Sequence, residues 1–356
     1  MDIRALLAFS VENNASDLHL STGLAPMLRV DGSLQQTSLP RLDAKNIIAI
    51  LQHILQDTAQ PVTLLSERWT VEALNTALEI DFSFHLPNVA RFRVHAFMEN
   101  RGPAVVFRII SENIPTITQL GLPLGVQKIA ERPHGLVLVT GPAGSGKSST
   151  LAAMLDYVNH HYFKHIVTIE DPIEFIHPNK QCLIHQRAVH RDTSSFNSAL
   201  HAALREDPDI IMIGELRDAE SIRLAMTAAE TGHLVLATLH TSSASSTIHR
   251  MINMFPGEEK NSIRSMLSDT LQAVISQTLL TKIGGGRVAA LEVMLCTVAI
   301  RNLIREDKVA QLYSVLQTGV AQGMHTLDQH LNTLIKDAMI TKETAQRVAN
   351  NPSLFL

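Results

Sequence analysis

GPAGSGKSST, residues 141–150, stands directly behind the apolar run GLVLVT (135–140) and ahead of a pattern with Leu151, Met154, Leu155 and Val158 on one helical face. It fits G-x-x-x-x-G-K-[ST] at Gly141, Gly146, Lys147 and Ser148, with Pro142, Ala143, Gly144 and Ser145 inside the loop and Ser149 behind it. Each residue type has a physical reason. Glycines leave backbone N–H groups free to wrap a phosphate, the helix opening at Lys147 adds its positive end, and the Ser148 hydroxyl can ligate Mg²⁺. A strand before the loop and an amphipathic helix after it are the context in which this pattern holds a nucleotide rather than merely turning the chain. ATP and Mg²⁺ are therefore the expected ligands.

Outward from this loop, HIVTI (165–169), DIIMIG (209–214) and LVLAT (234–238) are further short, continuous apolar runs with helical patterns between them. Strands buried on both faces read this way, so residues from about 123 onward are expected to form an α/β domain around a parallel sheet. QTLLTKIGGGRVAALEVML (277–295) predicts a hairpin with three glycines at its turn, and a helical appendage is expected from about residue 297.

The texture before residue 112 differs. DLHLS and MLRVDG read as short strands, and Ile47, Ile48, Leu51, Ile54 and Leu55 follow helical spacing. After Trp69, ALEIDFSFHL, RFRVHAFME and PAVVFRII predict an antiparallel meander, giving an α+β domain over 1–112. The run SENIPTITQLGLP (111–123), with two prolines, marks the connection, and 113–122 is expected to be the linker.

Next to the loop, the sequence places acids where the sheet should bind a ligand. TIEDPIEFIH (168–177) puts Glu170, Asp171 and Glu174 into the end of a buried strand and its turn. Buried carboxylates cost several kcal/mol unless a cation or hydrogen-bond donors meet them. The Mg²⁺ of a bound nucleotide, with Lys147 nearby, is the expected cation. Glu174, beyond Pro172, is the candidate base that orients water over the γ-phosphate. DIIMIGELRD (209–218) ends a strand with Gly214 where an aspartate would be expected, leaving Glu215 to serve the metal together with Ser148. Spacing alone leaves open which of Glu174 and Glu215 is base and which serves the metal. In TGHLVLATLHT (231–241), His240 falls at the carboxyl end of a strand, within reach of the γ-phosphate, whereas His233 at the other end reads as structural.

In RFRVHAFMENRGPAVVFRII (91–110), period 2 puts Arg91, Arg93 and His95 on one face and Phe92, Val94 and Ala96 on the other. Arg93 and Arg108 are either a solvated strand face or arginine fingers that meet the triphosphate of a neighbouring subunit. HHYFKH (160–165) and Cys182 with His185 lack a complete ligand set at zinc spacing and read as surface or structural.

The 356 residues exceed one ordinary core, and 45% apolar with 18% charged residues is a globular composition. A net charge of −4 argues against a nucleic-acid-coating protein. Cys182 and Cys296 cannot make a disulfide framework, and a reducing cytosol is the simplest setting. The amino end carries no basic, cleavable signal, and no run reaches eighteen uncharged apolar residues, so direct membrane insertion is not expected.

With these motifs in hand the chain resembles the type IV pilus retraction ATPases of twitching motility, a branch of the secretion ATPase superfamily. GPAGSGKSST resembles the family's Walker A, TIEDPIEFIH its aspartate box, REDPDIIMIGELRD its Walker B and TGHLVLATLHT its histidine box. ASDLHLS, AIRNLIRE (299–306) and the following QLYSVLQTG match the retraction branch, from about residue 10 to about 350. The resemblance implies a PAS-like amino domain, a RecA-like core and a homo-hexameric ring with nucleotide between the two domains. It also implies Arg93, Arg108 and Arg205 as phosphate-sensing cations. The linker would act as a hinge, and the partners would be an inner-membrane pilus platform protein and a paralogous retraction ATPase, which places the chain at the cytoplasmic face of the inner membrane. AIRNLIRE is implied to matter for retraction rather than hydrolysis; by spacing alone it is an amphipathic helix with Ile300, Leu303 and Ile304 inward and Arg301 and Arg305 outward. Departures are His95, where the family is expected to have Asn, and AALEV (289–293), where a His is expected before Glu292. Competing readings are a sibling secretion ATPase and a nucleotide-gated partner subunit that hydrolyses little; the intact Ser148, Glu174, Glu215 and His240 speak against the latter.

Overall fold

The computed structural model describes residues 2–57, 63–64, 79–110 and 113–356, and contacts divide the chain into two units, Met1–Asn113 and Ile114–Leu356. Trp69, Ala77, Leu78, Ser111 and Glu112, which entered the reading of the first domain and the linker, lie outside the described residues.

The first unit runs α1 (Ile3–Glu12), β1 (Ala15–Ser21), β2 (Met27–Val30), β3 (Ser33–Gln36), α2 (Ala44–Asp57), β4 (Thr63–Leu64), β5 (Glu79–Leu86), β6 (Ala90–Glu99) and β7 (Gly102–Ile110). Its strands form one antiparallel sheet in the order β3-β2-β1-β7-β6-β5-β4. Period 2 holds along β6. Phe92, Val94 and Ala96 are buried, with Phe84 stacked on Phe92, whereas Arg91, Arg93 and His95 are half-buried on the other face. Ile47, Ile50, Leu51 and Ile54 of α2 close the same core, with Ile50 taking the place expected for Ile48. One register row runs Arg29, Asp17, Arg108, Arg93 across four neighbouring strands, and like charges opposite each other are unfavourable. Buried Asp17 offsets this, its carboxylate accepting from Arg108 Nε at 2.9 Å.

The second unit continues with α3 (Gly125–Ala130), β8 (Gly135–Thr140), α4 (Lys147–His161), β9 (His165–Glu170), β10 (Leu183–Ala188), α5 (Phe196–Ala203), β11 (Ile210–Ile213), α6 (Ala219–Glu230), β12 (Leu234–Leu239), α7 (Ala244–Asn253), α8 (Lys260–Thr270), β13 (Leu271–Thr281), β14 (Arg287–Leu295), α9 (Val298–Arg305), α10 (Leu312–Thr318), α11 (Leu327–Lys336) and α12 (Lys342–Gln346). The sheet order is β10-β9-β11-β12-β8-β13-β14, parallel except for the β13–β14 hairpin. Every residue of β8 is buried. Leu136 and Leu138 enter one apolar layer, while Val137 and Val139 enter the other, as a strand covered on both faces requires.

Three features depart from the sequence reading. β10 adds a strand at the sheet edge, and β13 starts at Leu271, six residues before the expected hairpin, to pair in parallel with β8. Within the stretch read as a linker, Ile117 and Leu122 are buried in the second unit's core, so part of that stretch is structural. The carboxyl-terminal helices cover the hairpin, where Leu331, Leu334, Ile340 and Phe355 pack against Leu280, Val288 and Ala290. Among the described residues no helix is long and apolar enough to cross a membrane.

Candidate active site

β8, β12, β11 and β9 are parallel, so their carboxyl ends converge at one edge of the sheet, where open α/β sheets bind ligands. The 141–146 loop leaves β8 there and delivers the amino end of the 15-residue α4. Two of its glycines are required for different reasons. Gly141 has φ +147°, and a Cβ on it would collide with the Gln277 carbonyl oxygen; Gly144 has φ +75° and open space around it, leaving its backbone approachable. Ser145 Oγ is buried in the loop with no hydrogen-bond partner. An open glycine backbone, an orphaned hydroxyl and a helix amino end fit an anionic phosphate.

The Gly141→Ala variant is expected to lose at least tenfold in affinity for a fluorescent ADP analogue and to unfold at lower temperature. Both the left-handed φ and the clash have to be relieved by moving the loop off β13, at a cost of several kcal/mol. Unchanged binding in a titration would contradict this.

Gln277 of β13 was not singled out in the sequence. It is 3% exposed; its amide Nε2 donates to the Ser145 carbonyl at 2.6 Å, and its Oε1 accepts from Thr150 Oγ1 at 2.9 Å. It thereby ties the loop and the first turn of α4 to β13, alongside the Thr140–Ser276 hydroxyl pair at 2.8 Å. The available signal was a run of three polar residues, Ser276, Gln277 and Thr278, in an apolar strand. Gln277→Leu leaves two buried partners unsatisfied and is expected to cost about 2–4 kcal/mol in chemical denaturation.

Lys147 is 8% exposed, and burial lowers its pKa against the opposing pull of Glu215 and Glu174. Its ammonium donates to the Gly141 and Pro142 carbonyls at 2.8 and 3.0 Å and faces His240 Nδ1 at 3.4 Å. An ammonium has no lone pair, so Nδ1 accepts and the other ring nitrogen carries the proton. That nitrogen, Nε2, lies 3.3 Å from Glu215 Oε1, and Glu215 Oε2 accepts from Arg217 Nε at 3.0 Å. Arg217 reaches on to Asp171 at 3.4 Å. A continuous polar chain, Lys147–His240–Glu215–Arg217–Asp171, thus crosses the sheet edge from β8 through β12 and β11 to β9.

The three acids of TIEDPIEFIH have three different environments. Glu170 is 7% exposed and is met by neutral donors rather than a cation: Thr168 Oγ1, Gln186 Nε2 and the Glu174 N–H. Burial dominates and pushes its pKa up to about 6. Asp171 takes Arg217, and Glu174 is exposed on the following turn, which buried Ile173 anchors.

Other sequence-predicted residues lie elsewhere. Arg205 sits on the exposed turn between α5 and the amino end of β11, whereas the loop stands at the carboxyl end of β8, so parallel strands place them at opposite edges. Arg93 and Arg108 belong to the first unit, directly opposite each other on β6 and β7. His233 packs against its own helix end, with Nδ1 2.9 Å from the Ala228 carbonyl oxygen. His165 and His185 pair at 3.0 Å, and Cys182 and Cys296 are buried free thiols. Among the described residues no group of three His, Cys, Asp or Glu side chains could hold a metal ion.

A parallel sheet with this loop, lysine and strand-end carboxylate defines a P-loop nucleotide-binding protein. The family model described as type II/IV secretion system protein matches residues 2–286. The type IV pilus retraction ATPase PilT of Pseudomonas aeruginosa is 57% identical over the full length of both chains, and a twitching motility protein of Neisseria gonorrhoeae is 51% identical over 92% of this chain and 84% of its own. A crystal structure of the pilus retraction motor PilT with bound ADP matches with TM-score 0.84 and 42% identity, covering 99% of this chain and 98% of that one. The chain belongs to the type II/IV secretion system protein family.

Proposed function

We propose that the chain is an ATP-hydrolysing motor for type IV pilus retraction, working as a homo-hexamer on an inner-membrane platform protein. The observation that carries the reading is the Lys147–His240–Glu215 connection beside a loop fit for phosphate, in a chain 57% identical to a retraction ATPase from end to end.

Lys147 and the 141–146 backbone bind the β- and γ-phosphates; Ser148 and Glu215 are the side chains that would hold a Mg²⁺ ion, which would neutralise charge on the transferred phosphoryl group. Glu174, exposed on its turn, orients the attacking water, and His240 senses the γ-phosphate between Lys147 and Glu215. Arg93 and Arg108 answer to a nucleotide held by a neighbouring subunit, and Arg205 is a further phosphate-sensing cation by resemblance to the family alone.

The test pairs ATP hydrolysis by purified protein with twitching of a deletion strain. Ile300 and Ile304 are fully buried, so changing them would test folding; Val298 and Asn302 are exposed on the same helix. Val298→Asp with Asn302→Ala is expected to keep hydrolysis within twofold while failing to restore twitching. Arg301 is not free to contribute outward, since its Nη1 donates to the Ser268 and Asp269 carbonyls at the end of α8. A deletion strain that twitches normally would refute the retraction assignment, and wild-type protein that turns over no faster than Glu174→Ala would refute the hydrolase.

A further inference from the structure

We propose that Arg217 is a positioning residue for hydrolysis, fixing the orientation of Glu215 through a bridge to Asp171; this rests on the hydrolase reading above. Three observations meet at this side chain. Its guanidinium is shared between Glu215 Oε2 at 3.0 Å and Asp171 Oδ2 at 3.4 Å, two carboxylates that follow adjacent parallel strands. The same group lies over the Phe196 ring, 5.6 Å from its centroid, at the first turn of α5. Its backbone is held on both sides. Buried Leu216 donates its N–H to the Thr238 carbonyl at 3.0 Å, and Asp218 caps α6 through the Ser221 N–H at 2.7 Å.

The consequence for Glu215 follows from its two oxygens. Oε2 accepts a hydrogen bond from Arg217, while Oε1 lies 3.3 Å from His240 Nε2, so the guanidinium is the donor that fixes the carboxylate's orientation. Without the guanidinium, one oxygen loses its donor and two neighbouring acids lose their common cation. Glu215 can then rotate about its terminal torsion, which is soft, and no longer presents one geometry to the cation. Misplacement of a catalytic group by about 1 Å costs on the order of 10²-fold in rate. Arginine suits the task where lysine does not, because a planar fork offers Nε and Nη1 in fixed directions to two acceptors, whereas an ammonium is a single point charge. The side chain is 54% exposed, and exposed ion pairs contribute little to folding, so its removal is readable as an effect on the site.

The experiment compares wild type, Arg217→Gln, Arg217→Lys, Asp171→Asn and the double variant Asp171→Asn/Arg217→Gln. The readouts are kcat, KM for ATP, the half-saturating Mg²⁺ concentration, fluorescent-ADP affinity with and without Mg²⁺, and thermal unfolding. Arg217→Gln is expected to lower kcat about 30- to 100-fold and raise half-saturating Mg²⁺ several-fold. KM, Mg²⁺-free ADP affinity and the unfolding temperature stay near wild type, while the gain in ADP affinity on adding Mg²⁺ shrinks. Arg217→Lys recovers only part of kcat, and the double variant is no slower than Arg217→Gln alone. Wild-type kcat and Mg²⁺ dependence in Arg217→Gln would overturn the inference while leaving the hydrolase reading intact. So would a kcat loss that merely parallels lost ADP affinity or lost stability. Wild-type protein without turnover would instead overturn the hydrolase reading and this inference with it.

Discussion

Glu174→Gln is expected to reduce ATP turnover by about 10²–10³-fold while leaving ADP affinity within about twofold of wild type. The side chain is exposed, so the amide replaces it without disturbing packing. The turn stays in place because its anchors are elsewhere: Ile173 is 4% exposed, and the N–H of residue 174 donates to Glu170 Oε2 at 3.3 Å regardless of the side chain it carries. What the variant removes is one negative charge within electrostatic reach of Lys147, together with the ability to accept a proton from water. The companion variant Glu215→Gln separates the two roles that sequence spacing left open. Glu215 is already oriented by the Arg217 hydrogen bond on Oε2, with His240 3.3 Å from Oε1, which suits an anchor for a cation. Glu215→Gln is therefore expected to shift half-saturating Mg²⁺ upward, and Glu174→Gln to lower kcat at every Mg²⁺ concentration. Steady-state kinetics over a Mg²⁺ titration decide between them; interchanged patterns would exchange the roles.

The local part of this candidate site is legible in the sequence. The phosphate loop is local: one strand end, one glycine-rich turn and one helix start follow one another in sequence, so Gly141 to Ser149 needed no knowledge of topology. The strands β8, β9, β11 and β12 were readable for a related reason, since burial on both faces removes alternation and leaves plain apolar runs. β10 was not readable, because as an edge strand it exposes Leu183 and His185 and shows no such run. Non-local partners were hidden altogether. Gln277 reaches the loop only because β13 lies beside β8, and nothing in the order of the chain says that the hairpin joins the sheet there. Arg217 stood in plain view in GELRD, but its bridge to Asp171 depends on β9 and β11 being neighbours while β10, between them in sequence, pairs on the outer side. The sequence offered the buried acids either a cation or hydrogen-bond donors, and the fold uses both: three neutral donors meet Glu170, and Arg217 meets Asp171.

Acidification from pH 7 to pH 4 is expected to destabilise the second unit by about 4 kcal/mol, a large share of a typical domain's stability. Burial lowers His177 and His325 from 6.5 to about 4, with Asp156 opposing and Lys180 adding to the shift at His177, and His330 pushing His325 further down. Nδ1 of His177 and Nε2 of His325 are buried with no hydrogen-bond partner, so neither ring has a prepared place for a second proton. A histidine depressed in the folded state gives stability that is present above its unfolded pKa and lost as pH falls toward the folded one, because the unfolded chain takes up the proton first. Each ring thus accounts for about 3 kcal/mol by pH 4. Glu170 works in the opposite sense. Its pKa is raised from 4.5 to about 6, so the folded protein suffers above pH 6 from a buried charge that protonation relieves, returning about 2 kcal/mol as pH falls. Two histidines outweigh Glu170; His330, also lowered by burial, adds to the loss and Glu292, raised by burial, opposes it, so the net slope is acid lability between pH 6.5 and 4. Denaturant unfolding at pH 7 and pH 4.5 measures it. His177→Leu and His325→Leu should each remove about half of the histidine contribution, whereas Glu170→Gln should steepen the loss. Stability that is level across this range in the wild type, or a slope that neither histidine variant changes, would mean that these rings are solvated or partnered in the folded protein, contrary to their burial.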